Sequence, residues 1–236
     1  MIGTRRVAIA AVPTATAVLV LGLLAGPMPG AAETVIAGTV RSKDGRPLPG
    51  LALLEKGEIH GNVWDRGALV DEQGRFQIVV ADGGQYGLHV YASGYIYSPQ
   101  ALTVQPGQQL EVSVVLVPEP TRANTPVIQR VEFPPAGRSD AALRLDVFDP
   151  NGILGPQVLA FNAATGRAHA LDPPRWVWSL KSNYPNGVYR LKNDAAGGPV
   201  NPRDWYFVVA DHQCNTSDIL AYPHEPKPQE VVRPAP

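Results

Sequence analysis

Beyond its first 32 residues the chain alternates short apolar runs with turn residues, and no apolar pattern at helical spacing runs past ten positions. In Gly74-Arg75-Phe76-Gln77-Ile78-Val79-Val80 the side chains of Phe76, Ile78 and Val80 share one face at period two. Tyr86, Leu88 and Val90 repeat the device, with Gly87, His89 and Tyr91 pointing the other way. Leu110, Val112, Val114 and Leu116 do so again. The pattern predicts strands over 34–41, 51–55, 66–70, 75–80, 85–93, 100–104 and 108–117. A second set is predicted over 127–133, 141–148, 157–162, 176–181, 187–191 and 205–210.

The turns between these runs have their own chemistry. Asp44-Gly45 supplies a pair that tolerates positive φ, and Glu72-Gln73-Gly74 does the same between two strands. Pro47 and Pro49 keep the segment after the first turn extended and unfit for a central ladder. In the second half, Asp149-Pro150-Asn151-Gly152 and Tyr184-Pro185-Asn186-Gly187 combine a proline that fixes φ with an Asn-Gly step. The fold class expected is all-β: two antiparallel β-sandwich modules in tandem after an N-terminal signal peptide. The boundaries expected are a signal peptide at 1–32, a first sandwich at 33–118 and a linker at 119–126. A second sandwich follows at 127–221 and a proline-rich tail at 222–236.

A further signal lies in the order of the first module's motifs. A Gly38-Thr39-Val40 strand leads to Asp44-Gly45-Arg46-Pro47-Leu48-Pro49-Gly50, then Asp71-Glu72-Gln73-Gly74-Arg75-Phe76. Gly84-Gln85-Tyr86 opens a later strand and Gly94-Tyr95 closes the set. In these five spaced motifs residues 34–117 resemble the carboxypeptidase regulatory-like domain, a transthyretin-like sandwich grouped with carbohydrate-binding-like folds. The resemblance implies turn and core positions and brings no catalytic residues. The stretch from Glu58 to Arg66 is longer and more decorated than the plain hairpin that the resemblance implies there. The second module looks loosely immunoglobulin-like.

Composition narrows the address. Arg5 and Arg6 precede an uncharged apolar run from Val7 to Leu24, and Gly30-Ala31-Ala32 offers small residues before Glu33. This reads as an export leader, cleaved or kept as a membrane anchor, by the general or the twin-arginine route. Without the leader the chain holds 18 basic and 21 acidic residues. No basic patch is dense enough for nucleic acid. The tail from Tyr222, rich in proline, has little apolar area to bury.

The candidate chemistry is sparse. His60, Asn62, Trp64, Asp65 and Arg66 crowd one loop, where an indole could stack on a sugar ring while amide and charged groups bond its hydroxyls. The same residues would also suit an ordinary long loop with its tryptophan tucked on the sandwich edge. Trp176 and Trp178, two apart, share one side of a strand, either as an aromatic platform or as core. His212 and Cys214 are the weak metal candidates, since a copper site would want a second histidine and commonly a methionine. The single cysteine has no internal disulfide partner, leaving a buried thiol, an intermolecular bridge or a ligand. No Gly-x-Ser-x-Gly elbow occurs, and the glycine pairs precede no helix.

The reading is therefore an exported, non-enzymatic binding or structural module, periplasmic or on the cell surface, that docks an envelope or surface protein. No cofactor is expected, and the membrane enters only if the leader is retained. The alternatives are a carbohydrate-binding protein using the tryptophans, and a metal or electron-transfer accessory using His212 and Cys214.

Overall fold

The computed structural model describes residues 33–57, 59, 63–133, 142–150, 153–172, 183–184, 186–192 and 201–221. The leader, the tail, His60, Asn62 and the predicted strand at 176–181 with Trp176 and Trp178 lie outside them. The first module contributes β1 (Thr34–Ser42), β2 (Gly50–Lys56), β3 (Trp64–Val70), β4 (Arg75–Val80), β5 (Gly84–Tyr91), β6 (Tyr95–Ile96), β7 (Ser98–Val104) and β8 (Gln109–Pro118). The second contributes β9 (Val127–Glu132), β10 (Ala142–Phe148), β11 (Ile153–Asn162), β12 (Arg167–Ala170), β13 (Asn183–Tyr184), β14 (Gly187–Lys192), β15 (Trp205–Asp211) and β16 (Leu220–Ala221).

Alternation places the faces. Ile36, Val40, Phe76, Ile78, Val80, Val114 and Leu116 come from the sheet β4-β1-β8-β6 and Leu54, Tyr86, Leu88 and Val90 from β2 and β5. Together they form the first core, the sandwich that the period-two pattern predicts. One pairing departs from the antiparallel expectation. β1 and β8 run parallel, Val35 opposite Gln109 through Ser42 opposite Leu116. The first and last strands of the module can do this because six others separate them in sequence.

The second module has its own core. Leu143, Leu145, Val147, Tyr189 and Leu191 of the sheet β14-β10-β9 face Val158, Ala160, Trp205, Phe207 and Val209 of β11 and β15.

A third layer of apolar contacts lies between the modules. Leu51, Leu53, Tyr91 and Tyr97 of the first meet Leu159, Phe161, Ala168, Val208 and Ala210 of the second. The inner sheet of each module is thus covered on both faces. This explains why Leu51 to Glu55 and Tyr86 to Tyr91 are buried at every position, and why the run Gln157 to Asn162 is too. The two inner sheets are also continuous at one bridge, Arg66 opposite Arg167, supported by Gly67 N–H donating to Gly166 O at 2.9 Å. Each fully buried Leu or Phe in this seam contributes about 1.5–3 kcal/mol.

Gly67 shows how close the approach is. A Cβ there would lie 2.5 Å from Leu53 Cδ2 and 3.1 Å from Phe161 Cδ2.

The linker is bonded to both modules. Glu119 accepts the Thr216 N–H at 2.6 Å and the Thr125 hydroxyl at 2.8 Å, and its own N–H donates to Gly94 O at 3.0 Å. Arg122 pairs with Asp218 at 2.5 Å. One carboxylate holding the N–H of a distant turn and a nearby hydroxyl fixes both ends of the segment against the second module.

Candidate functional site

The sequence leaves two readings of Trp64, Asp65 and Arg66, a ligand-binding loop or an ordinary loop with its tryptophan tucked on the sandwich edge. β3 begins at Trp64, and the period-two alternation sends these side chains to different places. Trp64 packs against the buried seam, its ring 4.8 Å from that of His89 at an interplanar angle of 57°. Its Nε1 is buried and has no hydrogen-bond partner among the described residues. The indole face is therefore spent on packing. Arg66 reaches the second module, donating to Thr165 O at 3.0 Å, with Asp65 3.9 Å from its Nε.

Sequence reasoning missed the polar seam around these residues. His89 and Glu55 are fully buried, with His89 Nε2 3.0 Å from Glu55 Oε2. Leu53 stands opposite His89 across the β2–β5 ladder, so Glu55 and His89 are diagonal neighbours on the seam face. Tyr91 and Tyr97 stack beside His89, their centroids 5.3 Å apart. The Tyr91 hydroxyl donates to Gln157 of β11, a bond across the seam. Burial, followed by the neighbouring Tyr97 and Glu55, raises the Tyr91 phenol well above its ordinary value. Burial likewise raises Tyr97. The signal was present: the residues facing away from the first core, Gly87, His89 and Tyr91, are too aromatic for a solvated face.

His212 and Cys214 separate. After β15 the Asp211 carboxylate accepts the N–H groups of Gln213 and Asn215, both at 2.8 Å. It also accepts the Asn215 amide at 2.6 Å. This tight turn leaves His212 exposed and holds Cys214 at φ +67°, with its thiol half-buried against the seam. Burial raises the thiol pKa; the hydrogen bond with Tyr97 opposes that and Asp211 adds to it. Among the described residues no three His, Cys, Asp or Glu side chains gather as a metal-ligand set. The Cys214 carbonyl accepts the Tyr97 N–H at 3.0 Å, so the turn serves the joint between modules.

The open surface lies on the other side of the first module. A groove of about 810 Å³ is lined by Thr39, Leu69, Arg75, Gln77, Glu111 and Ser113, among others. Thr39, Arg75 and Ser113 lie in one row across β1, β4 and β8, and Gln77 and Glu111 flank Ala37 in the next. These are the polar alternates of amphipathic strands, so they occupy the outer face. At one end Asp71 accepts the Arg75 N–H at 2.7 Å and its side chain lies 3.1 Å from the guanidinium. The bond from the Arg75 N–H, more than the guanidinium itself, holds the Asp71 carboxyl below its usual range.

Residues 35–117 match the family model of the carboxypeptidase regulatory-like domain. The match covers the first module, roughly a third of the chain, and the motif resemblance seen in the sequence stands there. No curated protein matches the chain. Among solved structures, GBS52, the minor pilin of Streptococcus agalactiae, is 20% identical with a TM-score of 0.32. That match covers 39% of this chain and 47% of the pilin, so the chain spans about half the pilin's length. A DUF3823 family protein from Parabacteroides merdae is 16% identical over 81% of this chain and 99% of its own, with a TM-score of 0.30. BcpA, the major pilin subunit of Bacillus cereus, is 9% identical over 80% of this chain and 68% of its own, with a TM-score of 0.31. With TM-scores of 0.30 to 0.32 these structures carry no conclusion about this chain. Within the regulatory-like domain the motif residues do what the resemblance implies. Gly74, for example, takes φ +74° in a turn where a Cβ would lie 2.4 Å from Val40 O.

Proposed function

We propose that the chain is an exported, non-enzymatic module that docks a protein partner at the cell envelope or surface. The observation that carries this reading is the open groove on the outer face of the regulatory-like domain. Its lining mixes small polar residues (Thr39, Ser113) with an apolar side chain (Leu69) and charges of both signs (Arg75, Glu111). A small-molecule site encloses most of its ligand, whereas an open, mixed surface suits a protein face. The leader-like N-terminal sequence supports the address. With Trp64 committed to the seam, the described residues offer a glycan no aromatic platform on this loop.

The test is capture from a native envelope extract on the immobilised full-length chain, beside a Ser113→Arg variant that fills the groove. Ser113 is exposed, so the variant keeps the fold. The natural chain is expected to retain a partner and Ser113→Arg to bind it at least tenfold more weakly. Capture of nothing contradicts the reading, as does a tryptophan fluorescence response to soluble polysaccharides without any protein partner.

A further inference from the structure

We infer, independently of the docking proposal, that the Asp149–Pro150 peptide bond cleaves itself. The Asp149 carboxylate is the nucleophile, and the Asn186 side-chain amide is the donor to the reacting carbonyl.

The sequence marks the bond first. Asp149 directly follows β10 and precedes a proline. Proline makes the bond a tertiary amide whose nitrogen carries no N–H and departs as a basic secondary amine. The aspartate holds a carboxylate on the same residue as the carbonyl, and attack closes a five-membered ring without any encounter step.

The structure adds what the dipeptide lacks. Asn186, just ahead of β14, clamps Asp149 by both backbone groups. The Asp149 N–H donates to Asn186 Oδ1 at 2.7 Å, and Asn186 Nδ2 donates to the Asp149 carbonyl oxygen at 2.9 Å. A backbone N–H only donates, so the first bond fixes which end of the amide faces the second. The Nδ2 donor thus sits on the oxygen that gains charge when the carbonyl carbon is attacked. The β10–β14 ladder, with Val147 opposite Gly187 at this end, holds the two turns in place. Asp149 is 1% exposed, so its carboxylate is kept out of water, whereas Pro150 is exposed and its nitrogen takes a proton from solvent.

The atoms balance as follows. A carboxylate oxygen of Asp149 bonds to its own carbonyl carbon, and the C=O pair moves onto the oxygen held by Asn186. That oxyanion collapses, the C–N bond breaks, and the Pro150 nitrogen leaves with the electron pair and gains a proton from water. The cyclic anhydride left on Asp149 is opened by water into a side-chain carboxylate and a new C-terminal carboxylate. One water is consumed and no other reactant is needed.

The chain carries its own control in a second Asp–Pro step, Asp172-Pro173. The Asp172 carbonyl also accepts an N–H, from Arg190 at 2.9 Å, but Asp172 is exposed, so its carboxylate keeps its water. A cut at Asp149 leaves β10 paired with β9 and β14, and Leu143, Leu145 and Val147 packed with Val158 and Phe207. The two pieces therefore stay assembled until the fold is opened.

The test incubates the full-length chain with protease inhibitors near neutral pH and reads it by mass spectrometry under denaturing conditions. A fragment beginning at Pro150 is expected, formed at a rate independent of protein concentration. It is expected to form at least tenfold faster than any fragment beginning at Pro173, and at least tenfold faster than in guanidinium. Asn186→Asp keeps an acceptor for the Asp149 N–H and loses the donor, and is expected to slow cleavage at least tenfold. Asp149→Ala is expected to abolish it. Circular dichroism checks both folds; if either variant unfolds, the two bonds of the natural chain, folded against denatured, still decide. Cleavage no faster than in guanidinium, equal cutting at both Asp–Pro bonds, a rate that rises with protein concentration, or a folded Asn186→Asp chain cut at the natural rate overturns the inference.

Discussion

Glu55 and His89 sit 3.0 Å apart with no exposure to water, on a face that a single sandwich would turn to solvent. Burying such groups is tolerated because each offers the other a hydrogen-bonding partner. Replacing Glu55 by Leu is expected to cost about 1–3 kcal/mol, the penalty for a buried polar group deprived of a partner. Chemical denaturation of the variant measures it. Tyr91→Phe is expected to cost a similar amount, because Gln157 Oε1 then loses its donor in the dry seam. An unchanged midpoint for both would mean that water reaches these atoms. Cys214, its thiolate disfavoured by burial, is expected to alkylate more slowly than a free thiol at pH 8, and at the free rate in denaturant.

At the scale of elements, much was legible. The predicted β4 coincides with the observed Arg75–Val80, because its burial strictly alternates between exposed and buried positions. Strands one face of which meets water write that face into the sequence. The inner strands were harder. Leu51-Ala52-Leu53-Leu54 and Val158-Leu159-Ala160-Phe161 are continuous apolar runs, which mark strands covered on both faces. Read one at a time, such runs give a strand and not its second neighbour, so the packing of the two tandem modules on each other was not legible. The short β12 and β16 were missed for a different reason: four and two residues carry no period. Trp64 was legible as important but not as seam, since an indole beside Asp and Arg reads equally as a ligand platform. Gly67 tests the seam at this scale. Gly67→Val is expected to destabilise by about 1–3 kcal/mol through forced displacement of Leu53 and Phe161. A neutral effect would show that the modules do not press together there.

For the whole molecule, the three apolar layers make residues of both modules mutually dependent. Alkaline pH probes that dependence. Tyr91 and Tyr97 hold their protons in the native state above the ordinary value of 10.0, at which the unfolded chain releases them. For groups whose native pKa is raised, the contribution is complete below pH 10 and is lost as pH climbs beyond it. The slope is about 1.4 kcal/mol per pH unit for each proton retained. Tyrosinate absorbance is thus expected to lag for these two residues until the seam opens. Calorimetry of the full chain near neutral pH tests the shared seam most directly. One endotherm, with van't Hoff and calorimetric enthalpies equal, is the expected result. Two resolved transitions, one for each sandwich, would contradict it.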